Sequence, residues 1–335
     1  MSDFTITIVG AGVIGTSMGL AFKQTKDAPR LLVHDKDNEQ AKAAVKLGAF
    51  DKAEWNLINA CEPADLIVLA IPLSGIRPTL QVIAPYLKAG AVISDTARSK
   101  GPVLAWATEL LPAHVHFIGG DPLVHAAGSG QGYASANLFH NRLYCLTPAS
   151  TADETAVQLM VSVVSILGAK PFFLDAPEHD GLAAAVDTLP SILSVTLLQT
   201  VASEPSWREM RKLAGSLFAQ TSAGAGGDPD SLKDSLLGQR ETLLHWLDSY
   251  QAQLQQLRML LAEGETSAET LAQKLDQAIV ERHNWLADYQ RGDFDDPEMA
   301  STPIERPGLM KQLIGFGGGR RKQGSRGEEE QGRRR

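Results

Sequence analysis

Apolar residues alternate and then run together over residues 4–9, Phe-Thr-Ile-Thr-Ile-Val, as in a strand buried in a parallel sheet. Similar short runs recur at 30–34, 66–71, 91–94, 115–118, 142–147 and 170–174. Between them apolar residues recur at helical spacing over 13–24, 37–47, 75–87, 100–110 and 153–167, with Met18, Leu20, Ala21 and Phe22 forming the core face of the first. Strands alternating with helices predict an α/β Rossmann domain with a mostly parallel sheet over 1–175. After residue 176 the strand signal stops. Helices are expected at 177–203, 205–220, 229–262 and 267–290, giving an all-α dimerisation and substrate domain over 176–292. The stretch 229–262 places Leu232, Leu236, Leu243, Leu247, Leu254 and Leu257 at helical intervals. A helix that long in a small domain packs along its length, so a homodimer is expected. Residues 293–316 hold Pro297, Pro303 and Pro307 and read as an extended segment. Residues 317–335, rich in Gly and Arg with nothing apolar to bury, read as a disordered, solvated basic tail.

The 335-residue length fits two domains, and a 44% hydrophobic content is ordinary for a globular protein. A formal net charge of −8 argues against a nucleic-acid partner. No uninterrupted apolar run reaches the ~18 residues of a membrane span, and the first strand begins too early for a leader peptide, so no membrane partner and a cytoplasmic location are expected. Cys61 and Cys145, both in apolar surroundings, support neither a disulfide framework nor a metal site, and His114 and His116 lack ligand spacing.

Gly10-Ala11-Gly12-Val13-Ile14-Gly15 follows the first strand directly and opens the first helix. Gly10 permits the tight turn, Gly12 a close approach to a pyrophosphate, and Gly15 contact between helix and strand. The free N–H groups and positive dipole end of that helix face the phosphates. Asp35, twenty residues past Gly15 at the end of the second strand, is placed for the adenosine ribose hydroxyls. Its charge opposes a 2′-phosphate, so NAD is expected and NADP less so, with neighbouring Lys36 softening the preference.

Ligands in open α/β sheets bind beyond the carboxyl ends of the strands. Three loops qualify: Ala70-Ile71-Pro72-Leu73 bordering the cofactor, Asp95-Thr96-Ala97-Arg98-Ser99-Lys100, and Gly119-Gly120-Asp121-Pro122-Leu123-Val124-His125. With the glycine fingerprint, His179-Asp180, Leu189-Pro190 and Gly227-Asp228-Pro229, these make residues 4–262 resemble the prephenate/arogenate dehydrogenase family of tyrosine biosynthesis. The resemblance implies a Rossmann domain followed by a helical dimerisation domain. It also implies NAD-dependent oxidation of a cyclohexadienol, with loss of CO2.

The match fails at chemical positions. The family's Gly-Gly-His-Pro loop has Asp121 in place of His, its fourth-strand loop has Arg98 where Ser is usual, with Ser99 beside it, and its Phe-Arg-Asp-Thr-Thr-Arg stretch reads Phe218-Ala219-Gln220-Thr221-Ser222-Ala223. The histidine common after Leu-Pro is Ser191. His125 or Asp121 is therefore the candidate base, Ser99 a further catalytic candidate, and Arg98 the cation for a substrate carboxylate. His179-Asp180 is expected to cap and orient the first helix of the second domain. Two other readings fit the residues: a dehydrogenase of the same fold acting on a different carboxylate, and a catalytically silent nucleotide-binding dimer.

Overall fold

The computed structural model describes residues 4–124, 130–226 and 228–291. His125, the segment 293–316 and the tail 317–335 lie outside the described residues. The chain runs β1 (Thr5–Val9), α1 (Val13–Lys23), β2 (Arg30–His34), α2 (Asn38–Lys46), β3 (Lys52–Ala53), α3 (Leu57–Cys61), β4 (Leu66–Leu69), α4 (Leu73–Ile83), β5 (Val92–Asp95), α5 (Gly101–Leu110), β6 (His116–Pro122), β7 (Leu143–Pro148), α6 (Glu154–Ile166) and β8 (Lys170–Phe173). The sheet order is β3-β2-β1-β4-β5-β6-β7-β8, parallel except that β7 is antiparallel to β6. Period-two alternation sends successive strand residues to opposite faces. Ile6, Ile8, Leu66 and Val68 pack with Met18 and Phe22 of α1 and with α6, while Ile67, Leu69 and Ile93 pack with Ile76 and Leu80 of α4 and Val103 of α5. Aspartates at positions 37 and 153 accept N–H bonds at the starts of α2 and α6.

The second domain holds α7 (Ala176–Ala183), α8 (Leu189–Ala202), α9 (Trp207–Leu213), α10 (Ser216–Thr221), α11 (Pro229–Gly238), α12 (Arg240–Glu263) and α13 (Ala268–Arg291). A π-helical turn, Ala184–Thr188, joins α7 to α8. Four expectations need correction. The helix expected at 229–262 breaks at Gln239, whose φ −108° and ψ 20° leave the helical range while its side chain takes a hydrogen bond from Thr188 (2.7 Å). The helix expected at 205–220 is two short ones, split at Ala214-Gly215. Strand β6 runs to Pro122 rather than 118, since antiparallel pairing with β7 carries it on: Asp121 stands opposite Cys145. The continuous helix Ala176–Ala202 is long and apolar enough to cross a membrane, although no uninterrupted apolar run is; Glu178, His179, Asp180 and Asp187 punctuate it. Along α12 only Leu243 is buried, and α13 buries none of its described residues within this chain.

Candidate active site

The glycine turn is shaped for a close visitor. Gly10 has φ +108°, and a Cβ there would lie 2.2 Å from the Ala70 carbonyl oxygen. A Cβ on Gly15 would meet the Gly10 carbonyl at 2.1 Å. Nothing lies within 4 Å of a Cβ on Gly12. Helix α1 has no side-chain cap and no acid in its first turn, so its leading N–H groups face open space. Asp35 accepts N–H bonds from Ala11 (2.7 Å) and Asp37 (2.9 Å), which fixes its carboxylate beside the turn. Ile71 packs over Gly10, and Pro72 precedes α4 as its cap residue. These residues fit a dinucleotide. Across from them Ser74 donates to Asp228 (3.0 Å), which also accepts from the Ser231 N–H at the head of α11 (2.8 Å). Hydrogen bonds from Ser231 and Ser74 hold the Asp228 carboxyl below its usual range, and the nearby Lys36 charge adds to this.

At the ends of β5 and β6 the two domains lock together. Lys100 is fully buried, bonded to the equally buried Asp95 and to the Gly120 carbonyl oxygen (2.7 Å). Asp95 also accepts from the Ala97 and Gly120 N–H groups, at 2.9 and 3.1 Å. Burial pushes its carboxyl upward against these partners. Glycine is required at 120, where a Cβ would sit 2.6 Å from the Asp95 carbonyl oxygen.

Asp180 reaches back from α7 and accepts from the Lys100 and Gly101 N–H groups, at 2.7 and 2.8 Å. It therefore caps α5 across the interface. Its own helix is capped by Asp175, which accepts from the Glu178 N–H (2.8 Å), correcting the expectation that His179-Asp180 would serve that end. Asp180 ligates His179 Nδ1 at 3.0 Å, and His179 Nε2 meets Asp121 Oδ2 at 3.2 Å. All three are buried. Burial alone would lower the imidazole's proton affinity, but bonds to Asp121 and Asp180 outweigh it and raise the His179 pKa above its usual 6.5. Asp180 moves down despite its burial, held by His179 and the two N–H groups. The second Asp121 oxygen, Oδ1, is buried with no hydrogen-bond partner.

Arg98 stands over this chain of groups. Its Nε lies 3.8 Å from Asp121 Oδ1, one terminal nitrogen 3.8 Å from Asp187 Oδ1, and the other 3.4 Å from the Val124 carbonyl oxygen. The two carboxylate contacts are too long for hydrogen bonds, and the side chain is 44% exposed. The guanidinium is loosely held between two acids and open to an arriving anion. Ser99 is buried, its hydroxyl without a hydrogen-bond partner, on the side where Gly238 packs. The structure thus brings Asp121 and Arg98 together, buries Ser99, and adds His179, 58 positions from Asp121, which sequence reasoning left with a structural role. Its pairing with Asp180 was the available signal: adjacent titratable residues opening a helix beside the cleft. Among the described residues no cluster of His, Cys, Asp or Glu is arranged to hold a metal.

Residues 18–172 match the family model "Prephenate dehydrogenase, nucleotide-binding domain", and 175–277 match "Prephenate dehydrogenase, dimerization domain". The first match begins after the glycine turn, so the cradle rests on its own geometry. A Lactococcus lactis prephenate dehydrogenase is 30% identical over 268 residues, 78% of this chain and 73% of the relative. A Bacillus subtilis prephenate dehydrogenase is 28% identical over 256 residues, 76% of this chain and 69% of the relative. The crystal structure of Synechocystis arogenate dehydrogenase is 29% identical with a TM-score of 0.67, covering 84% of this chain and all of that one. The chain belongs to the prephenate dehydrogenase family and is a nicotinamide-dependent oxidoreductase of the prephenate dehydrogenase type.

Proposed function

We propose that this cleft oxidises the ring hydroxyl of a carboxylated cyclohexadienol, with Asp121 as the group that receives the hydroxyl proton and His179 as the base behind it. The observation that carries the reading is the buried series Asp121–His179–Asp180, which ends in an unpartnered Asp121 oxygen beside Arg98. A lone aspartate, with a usual pKa near ~3.9, is a weak base. Backed by an imidazole of raised proton affinity, it passes the proton inward. A nicotinamide held at the Gly10–Gly15 turn would supply the acceptor for the hydride that leaves the carbinol carbon. Arg98 holds the ring carboxylate through a two-nitrogen fork until the C–C bond breaks, CO2 leaves, and the bonding pair completes the aromatic ring. The resulting carbonyl oxygen regains a proton as the phenol forms, and the same Asp121–His179 pair returns it.

We take the cofactor to be NAD rather than NADP. Two N–H bonds hold the Asp35 carboxylate beside the glycine turn, where its charge would oppose a 2′-phosphate. The homodimer follows from the matched dimerisation domain and from apolar side chains such as Val186, Leu254 and Leu261 that this chain leaves exposed. Both cysteines are free and buried, with thiols pushed up to about 12, in keeping with a reducing, cytoplasmic setting.

The test is NADH formation at 340 nm from prephenate and from arogenate. Turnover of at least one, lost in Asp121→Asn and Arg98→Ala, is expected. NAD binding with no oxidation of either would favour the silent nucleotide-binding dimer.

A further inference from the structure

Each helix of the first domain opens on N–H groups that need an acceptor. Helices α2, α3 and α6 supply one from their own cap residues: Asp37, Asn56 and Asp153 accept from the Glu39, Asn59 and Ala156 N–H groups. Helices α1, α4 and α5 do not, for Gly12, Pro72 and Lys100 bring no side-chain acceptor to those ends. These three follow the glycine turn, the Ile71-Pro72 wall and the Arg98 loop, so they are the helices that open on the cleft. The end of α1 suits the phosphates of a dinucleotide. The ends of α4 and α5 are capped from the helical domain.

The two caps differ in exposure. On α5, Asp180 accepts from the Lys100 and Gly101 N–H groups and is itself buried. On α4, the Ser231 hydroxyl accepts from the Ser74 N–H (3.2 Å) and donates in turn to the Ser74 hydroxyl (3.4 Å). Asp228 Oδ2 accepts from the Ser74 hydroxyl (3.0 Å) and from the Ser231 N–H (2.8 Å). One carboxylate oxygen thus serves the first turns of α4 and α11, whose positive dipole ends would otherwise repel. Asp228 is exposed, and Ser74 and Ser231 are half-buried. Ser74 stands three residues after Ile71, whose side chain packs over Gly10. What holds the first turn of α4 therefore holds the wall that faces the dinucleotide turn.

We infer that Asp228 and Ser231 are positioning residues for the dinucleotide: they latch the helical domain to α4 beside the cofactor cleft, and cofactor exchange requires this exposed contact to part while the buried contact at Asp180 stays made. The inference rests on the nicotinamide cofactor taken above and not on the substrate. The bonds suit such a latch. When α4 and α11 separate, water replaces each lost partner, and the Asp228–Ser231 cap survives because both residues belong to α11 and its cap. Parting Asp180 from Lys100 and Gly101 would instead strand buried polar groups, which is far more costly. Opening steps of this kind set release rates in many enzymes.

Release of NADH reads the latch directly. Full-length protein loaded with NADH is mixed with excess NAD in a stopped-flow fluorimeter, and the decay of nucleotide fluorescence gives the dissociation rate. Ser74→Ala cuts the link to Asp228 and leaves the cap of α11 intact. It is expected to speed release by about 3- to 10-fold, as for loss of a single hydrogen bond. Ser231→Ala, which removes the acceptor of the Ser74 N–H, should act in the same direction. Asp153→Ala is the control: it uncaps α6, which follows β7 where that strand ends beside the start of β6, at the edge of the sheet away from the glycine turn. It should lower the Tm and leave release within twofold of wild type. An unchanged release rate in Ser74→Ala overturns the inference, as does an equal acceleration by Asp153→Ala. A wild type that binds neither NADH nor NADPH overturns it together with the nicotinamide reading. NADH release that depends on Ser74, without oxidation of prephenate or arogenate, sustains the inference and defeats the proposed substrate instead.

Discussion

Replacing His179 by alanine isolates the central group of the buried series. The imidazole, 3% exposed, bonds Asp121 at 3.2 Å and Asp180 at 3.0 Å. Its two partners do not suffer equally. Asp180 keeps the Lys100 and Gly101 N–H groups. Asp121, its side chain 2% exposed, is left with Arg98 at 3.8 Å on its other oxygen. Breaking a buried ionic pair by removing one member costs ~3–5 kcal/mol. With Asp180 still served, a value near ~3 kcal/mol is expected, which for a 335-residue chain unfolding as one unit corresponds to a Tm lowered by roughly 4 °C.

The pH dependence has a definite sign. Because the folded-state pKa of His179 is raised above its unfolded value of 6.5, its stabilisation is complete below about pH 6.5 and is lost as pH rises through the folded-state pKa. The Tm gap between wild type and His179→Ala should therefore be widest at the acid end and narrow above neutrality. Turnover moves oppositely. The neutral imidazole is the form that takes a proton, so wild-type kcat should fall with acid along a limb set above pH 6.5. That limb should disappear in His179→Gln, with kcat reduced on the order of 10²- to 10⁴-fold. Thermal melts and NADH assays from pH 5.5 to 9 measure both. A Tm gap under 2 °C, a gap that does not vary with pH, or an acid limb that persists in His179→Gln would refute this account of the network.

Asp35→Ser should shift the ratio of NADP to NAD affinity toward NADP, as read by cofactor titration; a wild type that already prefers NADP would place Asp35 away from the ribose. Light scattering at micromolar concentration should return twice the 36.0 kDa chain mass, and Leu254→Glu on the exposed face of α12 should halve it. Lys100→Met strands the buried Asp95 carboxylate, and chemical denaturation should show a loss of about 3–5 kcal/mol, with little change in the variant Lys23→Met, whose ion pair is partly exposed.

The strand–turn–helix core was legible because its signals are local. Short apolar runs mark β1, β2, β4 and β5, and Gly10 with Asp35 brackets the cofactor cradle within 26 positions. Long-range pairing is not written locally. Asp121 reads as a loop residue until β7 returns antiparallel and extends β6 to Pro122. His179 approaches it from 58 positions away, through a domain contact that the one-dimensional pattern does not contain. The break at Gln239 was masked by leucine periodicity, although Gly238 was a visible interruption; the Thr188 hydroxyl that bonds the Gln239 side chain lies 51 positions away. The π-turn at Asp187 is likewise invisible to a 3.6-residue period, because the extra residue changes the face that each later side chain presents.

The departures at positions 98, 121 and 191 make physical sense together better than singly. Aspartate in place of a histidine at 121 adds a negative charge to a buried strand end, which by itself is costly. Arg98, on the neighbouring loop, adds a positive charge within 3.8 Å of it, and His179 supplies the direct hydrogen bond. On the mechanism proposed above, the base stands one residue back from the cleft rather than being lost. Serine at 191 adds no charge to the helical-domain cavity that it lines with Asp187, Ser194 and Thr221, where Asp187 is the charged member among the described lining residues. In a pocket that had simply decayed, nothing would keep an introduced aspartate paired, and buried carboxylates without partners would accumulate. Here Asp95 and Asp180 each accept from backbone N–H groups, Asp121 Oδ2 is paired with His179 Nε2, and among the described residues the buried carboxylate oxygen left open, Asp121 Oδ1, is the atom that faces Arg98. That arrangement argues for a retuned active site in which the charges changed as a set.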